Sequence, residues 1–244
     1  MEHLLTRLAS ILSIHPSPTY LATHLQSLPN NNENALLASL RYRLINSDFT
    51  QSLLPQANTT FPSDLHTNQR YLSPAPGATL PGPIAVQIVD IVDLGSSNME
   101  QLESLEMAGR GEAKKGREVI RVLPVEEEVG TQAPEGARAA VNLGTMKATI
   151  GPHKVLMEDA SGRRAWGFEI ERIPGLGIGG KMKLGAKLVL KNVPVMRELV
   201  ILQPSNTTVL GGGVRDWDKA WIETRKAQLE ASLGIGKKEE GRAR

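Results

Sequence analysis

The sequence predicts an α+β chain: a helical bundle, then a small β-barrel, then a closing helix. Three observations carry that reading. Leucines recur at helical spacing through residues 2–54. Apolar runs of strand length alternate with Gly, Pro and Asn breaks from Pro83 to Gly213. A helical pattern carrying Trp217, Trp221 and Leu229 follows. The periods differ, 3.6 residues in the first and last regions and 2 in the middle, and period separates helix from strand.

In the first region, Leu4, Leu5, Leu8, Ile11 and Leu12 fall on one helical face. Pro16-Ser17-Pro18 ends that helix, and Ser17 with Pro18 supplies the cap and first residue of the next, because proline has no N–H to lose at that position. Leu21, Leu25 and Leu28 continue it to Pro29. Leu36, Leu37, Leu40 and Leu44 mark a third helix, and Ser47-Asp48 caps a short fourth with Phe49, Leu53 and Leu54. The region, 1–60, is a three- to four-helix bundle whose apolar faces pack on the barrel or on each other. Residues 61–82 hold Pro62, Pro74, Pro76, Gly77, Pro81 and Gly82 and read as a linker.

The barrel occupies 83–213. Ile84, Val86 and Ile88 alternate in its first strand, and Val89, Ile91 and Val92 extend it. Lys154 to Glu158 and Arg164 to Arg172 form a hairpin through Ala160-Ser161-Gly162. Arg164, Trp166, Phe168 and Ile170 share one face; exposed aromatics on such strands can stack on bases, but with aromatics at only 4% of the chain, Trp166, Phe168 and Ile170 are assigned to the core. Ile173 to Gly185 is a Gly-rich connection. Its Gly-x-Gly-x-Gly leads into a strand, not into the helix N-terminus a phosphate loop needs. Ala186 to Lys191 and Glu198 to Leu202 read as a closing hairpin turned at Asn192–Met196. Residues 214–234 form the last helix with Gly234 as its cap, and 235–244 form a disordered tail.

The closing stretch resembles a known family. Asn206-Thr207-Thr208-Val209-Leu210-Gly211-Gly212, preceded by Leu-Val-Ile-Leu-Gln-Pro and Gly-Ala-Lys-Leu-Val-Leu-Lys-Asn, is similar to the signature of the RecQ-mediated genome instability protein 1 family. Lys154-Val-Leu-Met-Glu-Asp-Ala-Ser-Gly and Trp166-Gly-Phe-Glu-Ile-Glu-Arg-Ile resemble its second and third barrel strands. The resemblance implies a five-stranded OB-fold, in the fungal-type short form with one such fold. It implies a nuclear, non-enzymatic subunit that docks a type IA topoisomerase, topoisomerase III, and through it a RecQ-type helicase, promoting double Holliday junction dissolution and decatenation. It implies no partner for a second OB-fold. The tudor-domain-containing protein 3 group looks similar in the same region, but no tudor segment follows here.

Residues 96–152 interrupt the barrel between its first two strands, where an OB-fold needs only a turn. A structureless insertion of that length is functional or disordered. The family carries an insertion at this point that reaches the topoisomerase gate; position alone transfers that role. Within it, Ile120, Arg121, Val122, Leu123 and Pro124 make the one compact apolar stretch, and are the expected partner-binding residues. The remaining polar, Gly-rich sequence predicts mobility and removal without loss of core. Lys187 lies between Ala186 and Leu188, opposite Leu188 and Leu190, and is predicted to face outward at the topoisomerase interface.

Chemistry-bearing constellations are scarce. There are no cysteines, which removes disulfides, thiol nucleophiles and Cys-ligated zinc. His3, His15, His24, His66 and His153 stand singly, without metal-ligand spacing. Glu126 to Glu128 and Glu158-Asp159 sit in a loop and at a turn. No cofactor and no catalytic residue are expected. Net charge is only +2, from 28 basic and 26 acidic residues. A second function class, a single-stranded DNA-binding OB-fold, would need a local basic groove with exposed aromatics; overall charge leaves DNA contact weak. No apolar run approaches the roughly 18 residues of a membrane span.

Overall fold

The computed structural model describes residues 7–8, 14–26, 33–56, 58–74, 77–110, 112–115, 118–121, 146, 148–180 and 182–235. In chain order the elements are α1 (Pro18–Gln26), α2 (Glu33–Ile45), α3 (Phe49–Ser52), α4 (Gln69–Leu72), β1 (Ala78–Leu80), β2 (Ile84–Asp93), α5 (Asn98–Gly109), β3 (Glu112–Lys115), β4 (Glu118–Arg121), β5 (His153–Asp159), β6 (Arg164–Glu169), β7 (Lys187–Leu190), β8 (Val193–Met196), β9 (Leu199–Leu202), β10 (Thr207–Gly211) and α6 (Trp217–Leu233). Eight strands form one curled sheet in the order β1-β8-β9-β6-β5-β2-β7-β10, and β3 pairs with β4 apart from it. Five strands were expected. All main-sheet pairs are antiparallel except β6 with β9.

The additional strands come from segments whose Pro content argued against pairing. Asn192–Met196 is not a turn. Val193–Met196 is β8, which turns back on β9 through Arg197 and Glu198, both at positive φ. Strand β7 therefore pairs with β2 and β10, not with the run at Leu199. Pro194 lies opposite Thr79 of the short strand β1 and ahead of the β8–β9 ladder, which begins at Val195, so its missing N–H takes nothing from that ladder.

Strand β2 organises two hydrophobic cores. Its inner side chains Ile84, Val86 and Ile88 enter the barrel. A register shift between Ile88 and Asp90 then flips the alternation, so that Ile91 continues the inner row. That bulge explains why the run stops alternating in the sequence. The main core joins these to Val155, Met157, Leu188, Leu190, Val200 and Leu202. A second core on the outer side of β2 gathers Leu21, Leu37, Leu40, Leu44, Phe49 and Leu53 of the helical region around Ala85 and Ala160.

Residues 61–82 are not a linker. Phe61, Leu65, Tyr71 and Leu80 are buried in the main core. Asp159 holds the segment, accepting the Phe61 amide at 2.7 Å while its other oxygen accepts Ser161 and Arg163 amides of the β5–β6 turn. The Gly-rich connection after β6 buries Ile173, Leu176, Ile178, Met182 and Leu184 in the barrel with no helix. The triple glycine after β10 has a steric reason. At Gly212, with φ +78, a Cβ would sit 2.0 Å from the carbonyl oxygen of Ile45, the last residue of α2, so only glycine lets the helical region close on the barrel exit. Helix α6 ends at Gly234, φ +70, as expected.

Candidate docking surfaces on the barrel

At one end of β2 the insertion leaves the barrel, and both of its roots are held by hydrogen bonds. On the outgoing side, Asp93 accepts the Gly95 amide at 2.9 Å and the Ser96 hydroxyl at 2.6 Å. Ser97 then caps α5 in a reciprocal capping box with Glu100, which satisfies two otherwise orphaned N–H groups. Gln101 donates to the Asp93 and Ser96 carbonyls. Helix α5 is not loose sequence: Leu102, Leu105 and Ala108 belong to the main core, beside Trp221, Ile222 and Leu229 of α6. A capped helix packed on a neighbour needs only a narrow apolar stripe.

On the returning side, Thr149, His153 and Glu169 form a row. The Thr149 hydroxyl lies 2.7 Å from His153 Nε2, and His153 Nδ1 lies 2.5 Å from Glu169 Oε2. A carboxylate can only accept, so His153 Nδ1 donates to Glu169. The row also binds backbone: Glu169 accepts the Ile173 and His153 amides, and Thr149 accepts the Ile178 amide. His153 and Glu169 are buried. The order hydroxyl, imidazole, carboxyl is that of a hydrolase relay, but here its members tie three chain segments together: residues 149–153, β6 and the Gly-rich connection. Its residues stand 4 and 16 positions apart with no spacing motif, so sequence reading missed it. A cavity of about 320 Å³ beside it is lined by Thr149, Ile150, Gln101, Trp221 and Arg225. Leu94, Met99 and Ile150 are exposed near these roots, Ile150 by 80%.

On the first half of β2, around Ala85 and Gln87, the helical region sits on the barrel. Gln87 and Lys187 are register partners on its outer side. Lys187 does turn away from the barrel interior as predicted, but it meets no solvent: it is 0% exposed. Its ammonium lies 4.6 Å from the centre of the Phe49 ring and donates to Gln87 Oε1 at 3.1 Å. That same oxygen accepts the Phe49 amide, and Gln87 Nε2 donates to Asp48 and Glu158. Burial pushes the lysine down to about 7 against the pull of Asp48. Burial acts to raise the Asp48 carboxyl, but hydrogen bonds from Gln87 and Thr50 and the lysine charge outweigh it and hold it below its usual value. Lys187 thus anchors α3 and offers no atom to a partner. Alternation places a side chain on a face; it does not reveal that another element covers that face.

The converse holds on β6. Ala165, Gly167 and Glu169 are its inward residues, while Trp166 and Phe168 are half-buried on the outer face and Ile170 is 59% exposed. The expectation that these three fill the core is overturned. The core needs the small residues: a Cβ on Gly167 would lie 2.7 Å from Met157 and 2.8 Å from Leu202. Of the expected insertion contacts, Ile120 and Arg121 lie in β4, paired with Ala113 and Glu112. Val122, Leu123 and Pro124 lie outside the described residues, as does most of the mobility expected for the insertion.

Among the described residues no group of three or more His, Asp or Glu side chains could hold a metal ion. No described helix is long and apolar enough to cross a membrane. In comparisons with known proteins, the family described as "RMI1, N-terminal OB-fold domain" matches residues 61–225. RecQ-mediated genome instability protein 1 of Schizosaccharomyces pombe is 37% identical over 146 residues, 57% of this chain and 60% of the relative. The chain therefore matches about 60% of the length of that relative. The match begins at Phe61, where the structure places the first residue of the supposed linker in the barrel core, and with the signature at Asn206–Gly212 folded as the barrel's last strand, the chain belongs to the RMI1 N-terminal OB-fold family.

Proposed function

We propose that this chain is a non-catalytic OB-fold subunit of a nuclear complex between a RecQ-type helicase and topoisomerase III. The barrel docks the topoisomerase, and the insertion acts at the enzyme's DNA gate to promote decatenation and double Holliday junction dissolution. Family membership makes it an OB-fold protein of genome maintenance. The observation that supports the finer reading is the double anchoring of the insertion. Asp93 with the α5 capping box holds one root and the Thr149–His153–Glu169 row holds the other. An arm that must enter a partner's gate gains from a fixed base, because pre-organisation lowers the ordering cost of binding. Exposed Leu94, Met99 and Ile150 near that base suit an apolar partner surface.

The test separates docking from gate action. Residues 96–152 cannot be removed whole, since Leu102, Leu105, Ala108 and Met146 belong to the core. Replacing residues 111–145 by a short Gly/Ser turn leaves those contacts in place. The variant is expected to melt no lower than the full chain and to keep its co-purification with topoisomerase III, while decatenation in the reconstituted complex falls at least tenfold. Wild-type decatenation by the variant would overturn the gate role, and failure of the full chain to bind topoisomerase III would overturn the docking role.

A further inference from the structure

A groove of about 550 Å³ runs between α6 and the start of α3, on the outer side of β2. Val89 lines it; this is the residue that the β2 bulge leaves without a partner on β5. The α6 wall is Trp217, Ala220, Thr224 and Gln228, spaced as one helical face. Trp217 is half-buried, and the other three are exposed. From Trp217 to Gln228 that wall runs roughly 16 Å, the length of about five extended residues.

The charged groups of the groove are Asp48, Asp90, Glu158, Arg164 and Arg225, three carboxylates against two guanidiniums. Both guanidiniums are engaged: Arg164 Nε donates to Glu158 at 2.9 Å, and Arg225 donates to Gln101 of α5 at 2.7 Å. Lys187 is fully buried and turned to Gln87 and the Phe49 ring. The two aspartates are bonded on one oxygen only. Asp48 Oδ1 accepts the Thr50 amide, the Thr50 hydroxyl and Gln87 Nε2. Asp90 Oδ1 accepts the Ile91 amide and the Trp221 indole. The second oxygen of each has no hydrogen-bond partner among the described residues and is not buried, so it is open at the groove. The groove therefore pairs apolar walls with unused acceptors, in a chain that is slightly basic overall.

We propose that this groove binds an extended basic segment of a partner protein, with one Lys or Arg on Asp48, a second on Asp90, and an apolar side chain between them on Val89 and Trp217. Alternate residues of an extended segment point the same way, so the first, third and fifth supply these three contacts within the length of the α6 wall. Each cation gains a charge-assisted hydrogen bond to a carboxylate oxygen, and the Trp217 ring favours a cation beside it. The same carboxylates repel phosphate, which sets this surface against nucleic acid. The proposal does not rest on the topoisomerase reading, since it uses none of the residues that root the insertion.

The experiment titrates the full chain into fluorescein-labelled peptides built on Lys-Xaa-Leu-Xaa-Arg, with Xaa and the flanks varied over Ala, Ser and Thr, and into counterparts with Glu in place of Lys and Arg. Anisotropy is read at several salt concentrations. The basic peptides should bind and the Glu counterparts should not, with affinity falling as salt rises. The Trp217 indole N–H resonance should shift on binding. Asp48→Asn with Asp90→Asn keeps an amide oxygen for the Thr50 and Trp221 donors and should weaken binding at least tenfold. Thr224→Arg places a cation at an exposed position of the wall; it should abolish binding and leave the melting temperature unchanged. No basic peptide bound at low salt, Glu counterparts bound equally well, or wild-type binding by Thr224→Arg overturns the proposal, even if the double Asn variant fails to fold. Lost peptide binding with topoisomerase III still co-purifying supports a groove separate from that dock. Loss of both keeps the proposal and makes topoisomerase III the source of the segment.

Discussion

Two buried polar clusters sit on opposite halves of β2, and they hold their neighbours in different ways. The cluster at Asp93–His153 anchors the insertion with groups that bond mainly to backbone: Glu169 alone accepts the amides of His153 and Ile173 and the His153 ring. The cluster at Gln87 anchors the helical region with side chains that bond mainly to each other, and at its centre is a lysine whose charge burial opposes. A backbone-bonded cluster fails when one side chain is lost, because amides cannot leave with it. A side-chain cluster can lose its most costly member and relax. The same strand thus carries one brittle anchor and one tolerant one.

The largest effect is expected at the brittle end. Glu169→Ala strands two backbone donors and the His153 ring, and should cost on the order of 4 kcal/mol in denaturant unfolding. Hydrogen exchange should rise first at residues 93–109 and 149–153. A loss under 1 kcal/mol would mean that water replaces the carboxyl and that the anchors are alike.

Gln87→Leu comes next. It leaves the Phe49 amide and the Lys187 ammonium without their shared acceptor, so roughly 2–3 kcal/mol should be lost, with exchange rising in residues 14–53 and not at the insertion roots. Faster exchange at both ends would break the distinction between them.

The smallest change is expected for Lys187→Met, within about 1 kcal/mol of wild type at pH 7, since an apolar chain replaces a poorly solvated charge. Its signature is in pH. Lys187 titrates at about 7 when folded and near 10.5 when unfolded. Between those values the unfolded chain holds the additional proton, so wild-type stability rises with pH there, by up to about 1.4 kcal/mol per unit. The variant should lose that slope. A slope that persists would place the titrating group elsewhere. A destabilisation above 2 kcal/mol would make the tolerant anchor brittle.

Sequence reading reached the chain's architecture through features that are local. The helix start at Pro18, the cap at Asp48, the β5–β6 turn and the cap at Gly234 each rest on adjacent residues, and each stands where it was expected. It missed features that depend on what lies across space. Pro194 reads as a breaker until the β8–β9 ladder is seen to begin one residue after it. Phe61 and Tyr71 read as linker residues until the core is seen to need them. Lys187 and Trp166 were placed on opposite sides of the solvent boundary from where they are found, because alternation fixes a face and burial depends on which faces other elements cover. The insertion roots were legible only as a long interruption; His153 and Glu169 announce their pairing in no local pattern.

One consequence of the insertion concerns how the barrel assembles. Strand β2 must find β5 across the whole segment from Leu94 to Pro152, and their ladder is made early or late according to the entropy of closing that loop. Loop entropy grows with the logarithm of length, so a turn ten times shorter would ease closure by roughly 2 kcal/mol. The capped α5 recovers part of that by drawing Leu102 and Leu105 onto the barrel and shortening the free chain. Folding of this domain is therefore expected to be slow for its size, and the variant lacking 111–145 should refold faster than the full chain while unfolding at the same rate.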